Sequence, residues 1–234
     1  MDVKNPDQLE TALFQLHSMA RCVEQSFKKA IDLLSTMDSY TADTIIEEDK
    51  VVNSYEIDID NCTYNILALN STGISSVQLR RILTIQKINP CLERIGDHIV
   101  NIAESVRLLC LHSFDNNLMG IDAMATACYS TLRNALQSYF DNNSELADEV
   151  LRSDDTIDEQ NRSIIEKIKK EYLFSSSGSL FESGFALVLI GKNLERIADL
   201  SMNIAEEAVY LIEGCSVKHL INKDESVQFK MTVH

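Results

Sequence analysis

Acidic and amide side chains recur at helical spacing in two nearly identical stretches of the 234-residue chain. The stretches 92–105 and 194–207 match at nine of fourteen positions when they are aligned at an offset of 102 residues. In a helix, side chains three and four positions apart share one face. That spacing groups Glu93, Asp97, Asn101 and Glu104 in the first stretch, and Glu195, Asp199, Asn203 and Glu206 in the second. Because like charges at this spacing repel, the repeated pattern indicates a shared cation.

A second pair of polar stripes lies on the preceding helix of each predicted repeat. The stripe of the first repeat consists of Asp49, Asn53, Glu56 and Asp60. The positions 105 residues later are Asp154, Asp158, Asn161 and Ile165, so two carboxylates are missing from the second repeat. If the second and third helices of a repeat lie antiparallel, their stripes meet at one end, where four to six oxygen ligands would converge.

Carboxylate and amide oxygens without histidine or cysteine favour hard cations, such as iron(III), manganese, magnesium or calcium, with zinc also possible. Affinity for such cations rises with the number of charged oxygen ligands, so the first repeat is predicted to keep metal longer during titration with a chelator. An alternative remains open, in which the stripes are solvated helix faces. Arg94 and Arg196 would then pair with Asp97 and Asp199, three positions further along.

The elements that position these stripes are predicted to be six long helices, because the chain contains only 7 Gly and 2 Pro and its apolar residues recur every three or four positions. The predicted helices cover about 7–37, 41–71, 75–112, 115–142, 144–174 and 179–213. We expect an all-α fold of two tandem, quasi-twofold related three-helix bundles. The predicted divisions are 1–113 for the first repeat, 114–214 for the second and 215–234 for a peripheral tail.

Two further patterns concern the packing of these helices. An apolar seam of the first helix recurs 105 residues later: Leu16, Ala20, Val23, Phe27, Ala30 and Leu34 match Ile121, Ala125, Cys128, Leu132, Ala135 and Tyr139. Pro90 lies three residues before Glu93 and predicts a kink in the third helix. Gly214 stands where a C-terminal helix cap is expected.

The net charge is −15, from 36 acidic and 21 basic residues, which argues against nucleic acid as a partner and favours cations or basic protein surfaces. Six cysteines without a Cys-x-x-Cys pair indicate a reducing compartment, and no stretch reaches the roughly 18 apolar residues of a membrane span. We therefore expect a soluble cytoplasmic protein. No combination of nucleophile and base has convincing spacing, so the chain is predicted not to be an enzyme.

The repeated Glu-Arg-Ile-Gly/Ala-Asp…Asn-Ile-Ala-Glu pattern, with its companion Asp49-x-x-Val-Asn-x-x-Glu, resembles the duplicated signature of the PhoU family. The resemblance implies two three-helix bundles whose acidic motifs hold iron or zinc. It also implies negative regulation of phosphate uptake through contacts with the ATPase subunit of a phosphate ABC transporter and with a sensor histidine kinase. We expect the protein to form a homodimer. By position, the implied metal ligands are Asp49, Asn53, Glu56, Glu93 and Asp97, and Asp154, Asp158, Glu195 and Asp199.

Two other functions stay open from the sequence. One is a carboxylate-bridged di-iron or di-manganese oxidoreductase or metal store, but such bundles usually carry Glu-x-x-His, and no glutamate here has histidine three positions later. The other is a structural adaptor whose acidic stripes bind only basic partner surfaces. Ala198 also departs from the PhoU pattern, which usually has glycine at that position.

Overall fold

The computed structural model describes residues 6–69, 73–111, 114, 117–152, 154–173 and 178–215. Within these residues the chain contains no β-strand, in agreement with the predicted all-α class. Seven α-helices and one π-helical turn occupy the described residues in this order: α1 Pro6–Thr36, α2 Ser39–Leu69, α3 Ser76–Leu111, α4 Ile121–Phe140, α5 Ser144–Leu151, α6 Asp154–Ile168, the π-helical turn Lys169–Leu173 and α7 Gly178–Glu213.

Polar side chains satisfy the free backbone amides where several helices begin. The carboxylate of Asp38 accepts hydrogen bonds from backbone amides in the first turn of α2. At α3, Ser75 and Gln78 form a reciprocal capping box, in which each side chain accepts a hydrogen bond from the backbone amide of the other residue. The side chain of Asn143 accepts from the Leu146 amide at the start of α5. These residues define where the long helices begin.

The predicted apolar seams of α1 and α4 form the centre of the two repeats. All twelve seam residues are buried, and none is more than 2% exposed. In the first repeat α1 packs against α2 and α3, and in the second α4 packs against α5, α6 and α7. Burial of each large apolar side chain contributes about 1.5–3 kcal/mol relative to exposure. The seam prediction is therefore confirmed.

The two repeats are joined mainly through α3 and α7, which run antiparallel. Lys87 Nζ donates to Glu207 Oε2 at 2.9 Å, while His98 Nδ1 lies 2.9 Å from Asn193 Oδ1. Residue numbers therefore rise along α3 as they fall along α7. α3 continues as one helix through Pro90, and its predicted apolar face is buried at Ile95, Ile99, Ile102 and Val106. The opposite face of α3 is left for the acidic stripe.

The prediction of one continuous helix over 144–174 was wrong. α5 ends at Leu151, α6 begins at Asp154, and the chain from Lys169 to Leu173 is π-helical. The sequence Ser153-Asp154-Asp155 contains residue types that favour a helix N-terminus, because their side chains accept from free amides and interact favourably with the helix dipole. The second repeat therefore has a broken counterpart of the unbroken α2.

The start of the fourth helix was also predicted too early. Met119 and Gly120 have φ angles of 56° and 101°, which a right-handed helix does not contain, and α4 begins only at Ile121. At the other end of the repeat, Gly214 has φ 76° and its amide donates to Tyr210 O at 3.0 Å. The predicted cap of α7 is therefore confirmed.

The predicted division near residue 113 lies between α3, which ends at Leu111, and α4. The division itself stays a prediction, and the proposed tail lies outside the described residues from position 216 onward. None of the helices in the described ranges combines the length and the apolar character that a membrane span requires.

Candidate functional site

The acidic stripes of α2 and α3 face each other in the first repeat. A Cβ atom added at Gly96 would lie 2.7 Å from Asp49 Oδ1, so the carboxylate of Asp49 lies directly against the backbone of α3. Nearer the other end of α2, Asp60 Oδ1 accepts a hydrogen bond from Asn89 Nδ2 at 2.9 Å and another from Gln86 Nε2 at 3.3 Å. The predicted antiparallel arrangement of the two stripes is present, and the absence of a side chain at Gly96 permits the close approach.

Negative charge accumulates where the two stripes meet. Burial raises the pKa of the half-buried Asp49 carboxyl, and the neighbouring Asp97 carboxylate raises it further. Burial also raises the pKa of Glu93, with additional repulsion from Asp97, Glu56 and Asp49. The guanidinium of Arg94 opposes this increase at Glu93 but is the smallest of the contributions. These four carboxylates therefore interact with one another and share an excess of negative charge.

The amide of Asn53 completes this first group. Its Nδ2 donates to Asp49 Oδ2 at 3.0 Å and partly opposes the increase in the pKa of Asp49. Its Oδ1 is buried and has no hydrogen-bond partner, so one carbonyl-type acceptor beside the carboxylates is unused. A buried acceptor without a partner is unfavourable, and a cation would satisfy it.

The second repeat places basic side chains on the equivalent carboxylates. Lys192 Nζ donates to Glu195 Oε2 at 2.8 Å, and the same oxygen accepts from Asn161 Nδ2 at 2.9 Å. Arg196 Nη1 donates to Asp199 Oδ2 at 3.1 Å. The carboxylates of the second repeat are thus partly neutralised by the chain itself.

The pKa of Asp199 reflects both burial and the nearby basic side chain. Burial raises the pKa of its carboxyl, but the hydrogen bond and the positive charge of Arg196 both lower it. Repulsion from Glu195 and Asp158 makes smaller, opposing contributions. Asp158 is therefore close enough to influence Asp199. The side chain of Asp154, also predicted as a ligand, lies outside the described part of the molecule, although its backbone begins α6.

The predicted residues are therefore brought together to different degrees. The five predicted side chains of the first repeat form one interacting group, because Asn53 bonds to Asp49 and the neighbouring carboxylates raise the pKa of Asp49 and of Glu93. Among the described residues, however, no three or more His, Cys, Asp or Glu side chains are grouped closely enough to hold a metal ion. Metal binding therefore stays a prediction.

The donor set of the first repeat fits a hard cation in its chemistry. It contains only oxygen donors, including the unused Oδ1 of Asn53, and within the described residues its carboxylates form no ion pair with Lys or Arg. In the second repeat Lys192 and Arg196 already occupy carboxylate oxygens. The buried Oδ1 of Asn161 also has no hydrogen-bond partner, so these two ion pairs are the difference that makes the second donor set fit a metal less well.

Two contributors were missed from the sequence. Lys192 precedes Glu195 by three positions, and this helical ion-pair spacing was a signal that could have identified it. Asn89, which donates to the Glu56 carbonyl and to Asp60, has no comparable signal because its partners lie on another helix. His98 lies beside α7, where its Nδ1 is 2.9 Å from Asn193 Oδ1.

The fold and its sites define a class: an all-α protein of two helical repeats, each with polar stripes facing one another across two antiparallel helices. The family model of the PhoU domain matches this chain twice, over residues 16–106 and 121–208. The chain belongs to the PhoU family.

Similar proteins agree with this assignment over nearly the full length. A phosphate-specific transport system accessory protein PhoU homolog of Clostridium acetobutylicum is 29% identical, and the match covers 90% of this chain and 94% of the relative. The PhoU protein of Escherichia coli is 27% identical, with 91% of this chain and 87% of the relative covered. The crystal structure of PhoU from Pseudomonas aeruginosa has a TM-score of 0.81 at 26% identity, covering 89% of this chain and 98% of that structure.

These comparisons confirm three of the predictions made from the sequence. The family resemblance was correct, and the repeated PhoU domain agrees with the predicted tandem arrangement. Membership of this family of accessory and regulatory proteins also confirms that the chain is not an enzyme.

Proposed function

We propose that this protein is a negative regulator of inorganic phosphate uptake and of phosphate-starvation signalling. The observation that carries the proposal is the match to the PhoU domain in each repeat, over residues 16–106 and 121–208. Relatives that match about nine tenths of the chain are named as accessory proteins of the phosphate-specific transport system, which supports an accessory or regulatory role in phosphate transport. The negative sign of the regulation and the particular partners are parts of the proposal.

The proposed partners are the ATPase subunit of a phosphate ABC transporter and a sensor histidine kinase, contacted on the cytoplasmic side of the membrane. A net charge of −15 supports binding to basic protein surfaces, because complementary charge increases the rate and selectivity of association. The same charge disfavours binding to nucleic acid. We further propose that the protein acts as a homodimer.

The proposed role of metal is to stabilise the arrangement of α2 and α3 in the first repeat. Asp49 and Asn53 on α2 and Glu93 and Asp97 on α3 would hold iron or zinc, with Glu56 contributing charge nearby. Manganese, magnesium and calcium also suit these oxygen donors. A bound cation supplies positive charge that offsets the repulsion between these carboxylates. In the second repeat, Asp154, Asp158, Glu195 and Asp199 are the corresponding candidates.

The other two candidate functions predict different results from metal analysis. A carboxylate-bridged oxidoreductase disagrees with membership of a non-enzymatic family. A purely structural adaptor would bind its basic partners without metal. Elemental analysis of protein purified without an affinity tag should find iron or zinc if our proposal is correct, and metal-free protein that still complements a deletion would favour the structural adaptor.

Deletion of the gene tests the regulatory role directly. We expect phosphate-starvation promoters to become active in phosphate-rich medium after deletion, and the wild-type gene should restore repression. The double variant Asp49→Asn/Asp97→Asn should restore repression only partly. Asp58→Asn, which changes an exposed carboxylate elsewhere on α2, is the matched control and should restore it fully. Repression that persists after deletion would contradict the proposed function.

A further inference from the structure

The third helix of each repeat differs in charge one turn before its acidic motif. At the offset of 102 that aligns the two motifs, Lys192 corresponds to Pro90. Lys192 lies three positions before Glu195 and donates to its Oε2 at 2.8 Å. Proline carries no charge and donates no hydrogen bond, so the first repeat has no ammonium group at this position.

The position of the Glu195 carboxylate is defined from both helices. Asn161 on α6 is only 5% exposed and donates to the same Oε2 atom at 2.9 Å. A Cβ atom at Gly191 would lie 2.9 Å from Asn161 Oδ1, so Asn161 lies directly against α7. The side chain of Glu195 is 22% exposed and that of Lys192 is 48% exposed, so water is partly excluded from the carboxylate but not from the ammonium group.

Arg196 is a second basic side chain that pairs with a carboxylate of the α7 motif. Arg196 pairs with Asp199 at 3.1 Å, whereas the equivalent Arg94 forms no ion pair with Asp97 among the described residues. Glu195 and Asp199 on α7 therefore each have a cationic partner, whereas Glu93 and Asp97 on α3 form no ion pair within the part of the chain that the structure describes. A metal that binds the second repeat must displace these partners, whereas a metal that binds the first repeat need not.

We propose that Lys192 is a built-in counter-ion of the second acidic site and competes there with metal. The first repeat is then the preferred metal site, and the second is stable without metal. This inference rests on the metal binding proposed above and adds the residue that determines which repeat is occupied. Arg196 assists Lys192 by holding Asp199.

The test compares zinc binding by full-length, tag-free variants, using zinc chloride as the only added metal. Lys192→Gln removes the ammonium group, and we expect its weaker zinc site to gain roughly two- to fivefold in affinity, as the loss of a partly exposed ion pair implies. Lys169→Gln is the matched control, because Lys169 also pairs with a glutamate three positions away, at 2.8 Å, but lies outside both sites. Its zinc binding should equal that of wild type.

The reciprocal change tests the first repeat. Pro90→Lys introduces an ammonium group before Glu93 and should weaken the stronger zinc site, whereas Pro90→Gln removes the proline without adding charge and should not. Thermal unfolding of each metal-free variant establishes that it is folded before zinc is added. An effect of Pro90→Gln equal to that of Pro90→Lys would show that backbone geometry, rather than charge, controls the site.

The outcomes distinguish the proposed role of Lys192 from the proposed binding of metal on which it rests. Zinc bound with the same affinity and stoichiometry by wild type and Lys192→Gln overturns the inference alone. If wild type and all variants bind no zinc, or any other metal on elemental analysis, both the inference and the proposed metal role fail. Stronger binding by Lys192→Gln, with no change in Lys169→Gln, supports both.

Discussion

The two acidic motifs occupy equivalent positions in two similar repeats, yet their electrostatic environments differ. In the first repeat burial, and then repulsion from Asp97, raises the pKa of Asp49 and of Glu93. A buried amide oxygen without a hydrogen-bond partner is common to both repeats, at Asn53 and at Asn161. In the second, Lys192 and Arg196 pair with the motif carboxylates. Duplication of a helical framework therefore does not duplicate the charge balance of its sites. A few residues beside a motif are sufficient to change that balance.

The helices that face the motifs differ as well. α2 is one helix of 31 residues, whereas its counterpart consists of α5, α6 and a π-helical turn. The first site thus faces a continuous helix, but the second faces α6, a shorter element of 15 residues. Buried contacts along α4 and α7 nevertheless remain extensive. The repeats are most alike in their apolar cores and least alike around their polar stripes.

The largest expected effect is a loss of stability when a buried leucine is shortened, and it should be the same in both repeats. Leu92 and Leu194 are equivalent and fully buried, so Leu92→Ala and Leu194→Ala should each lower the free energy of unfolding by about 2–5 kcal/mol. Urea unfolding followed by circular dichroism measures the change. Leu69→Ala, at a side chain that is 72% exposed, is the control and should have little effect. A much smaller loss for one of the two buried positions would show that the cores are not equivalent.

A smaller effect, a change in zinc affinity, should distinguish the two sites. Asp97→Asn removes charge from a group that has no ion-pair partner among the described residues, and it should lower zinc affinity by roughly tenfold at the occupied site. Asp199→Asn should change the bound zinc less, because Arg196 already partly neutralises that carboxylate. Elemental analysis and calorimetric titration of the single and double variants give the comparison, and helical content should remain nearly unchanged. A greater loss of metal from Asp199→Asn would reverse our assignment of the preferred repeat.

The smallest effect concerns the metal-free protein and its dependence on pH. The raised pKa values of Asp49 and Glu93 mean that the folded protein binds these protons more tightly than the unfolded chain does. This contribution to stability is complete below the ordinary pKa values of 3.8 and 4.5, and it is lost as pH rises through the raised values. Protonation or substitution of Asp49 should therefore relieve repulsion near neutral pH.

We expect Asp49→Asn to stabilise the metal-free protein near pH ~7 by less than about 1 kcal/mol, and to reduce the loss of stability as pH rises through the raised pKa of Asp49. Asp199→Asn should give a smaller change, because Arg196 lowers the pKa of Asp199. Thermal unfolding in the presence of a chelator measures both. If Asp49→Asn lowers stability at pH 7, the hydrogen bond from Asn53 outweighs the repulsion.

Much of the fold could be predicted because helical periodicity is a local property of the sequence. The seams of α1 and α4 and the buried face of α3 followed from apolar residues at spacings of three and four. The break between α5 and α6 was missed because the polar stripe around Asp154 was interpreted as part of one long helix. The late start of α4 was missed because positive φ at Met119 depends on the local turn, for which methionine is not a typical residue.

The sequence by itself determined the helical class, the repeats and the residues that share each polar face, since all of these depend on spacing within one helix. Only the tertiary structure decided which groups meet across helices. Asp49 contacts the backbone at Gly96, and Asn161 shares a Glu195 oxygen with Lys192. Such contacts depend on the register and the distance between two helices. A short residue such as glycine permits a close approach, but its partner is identified only when the two surfaces are packed together.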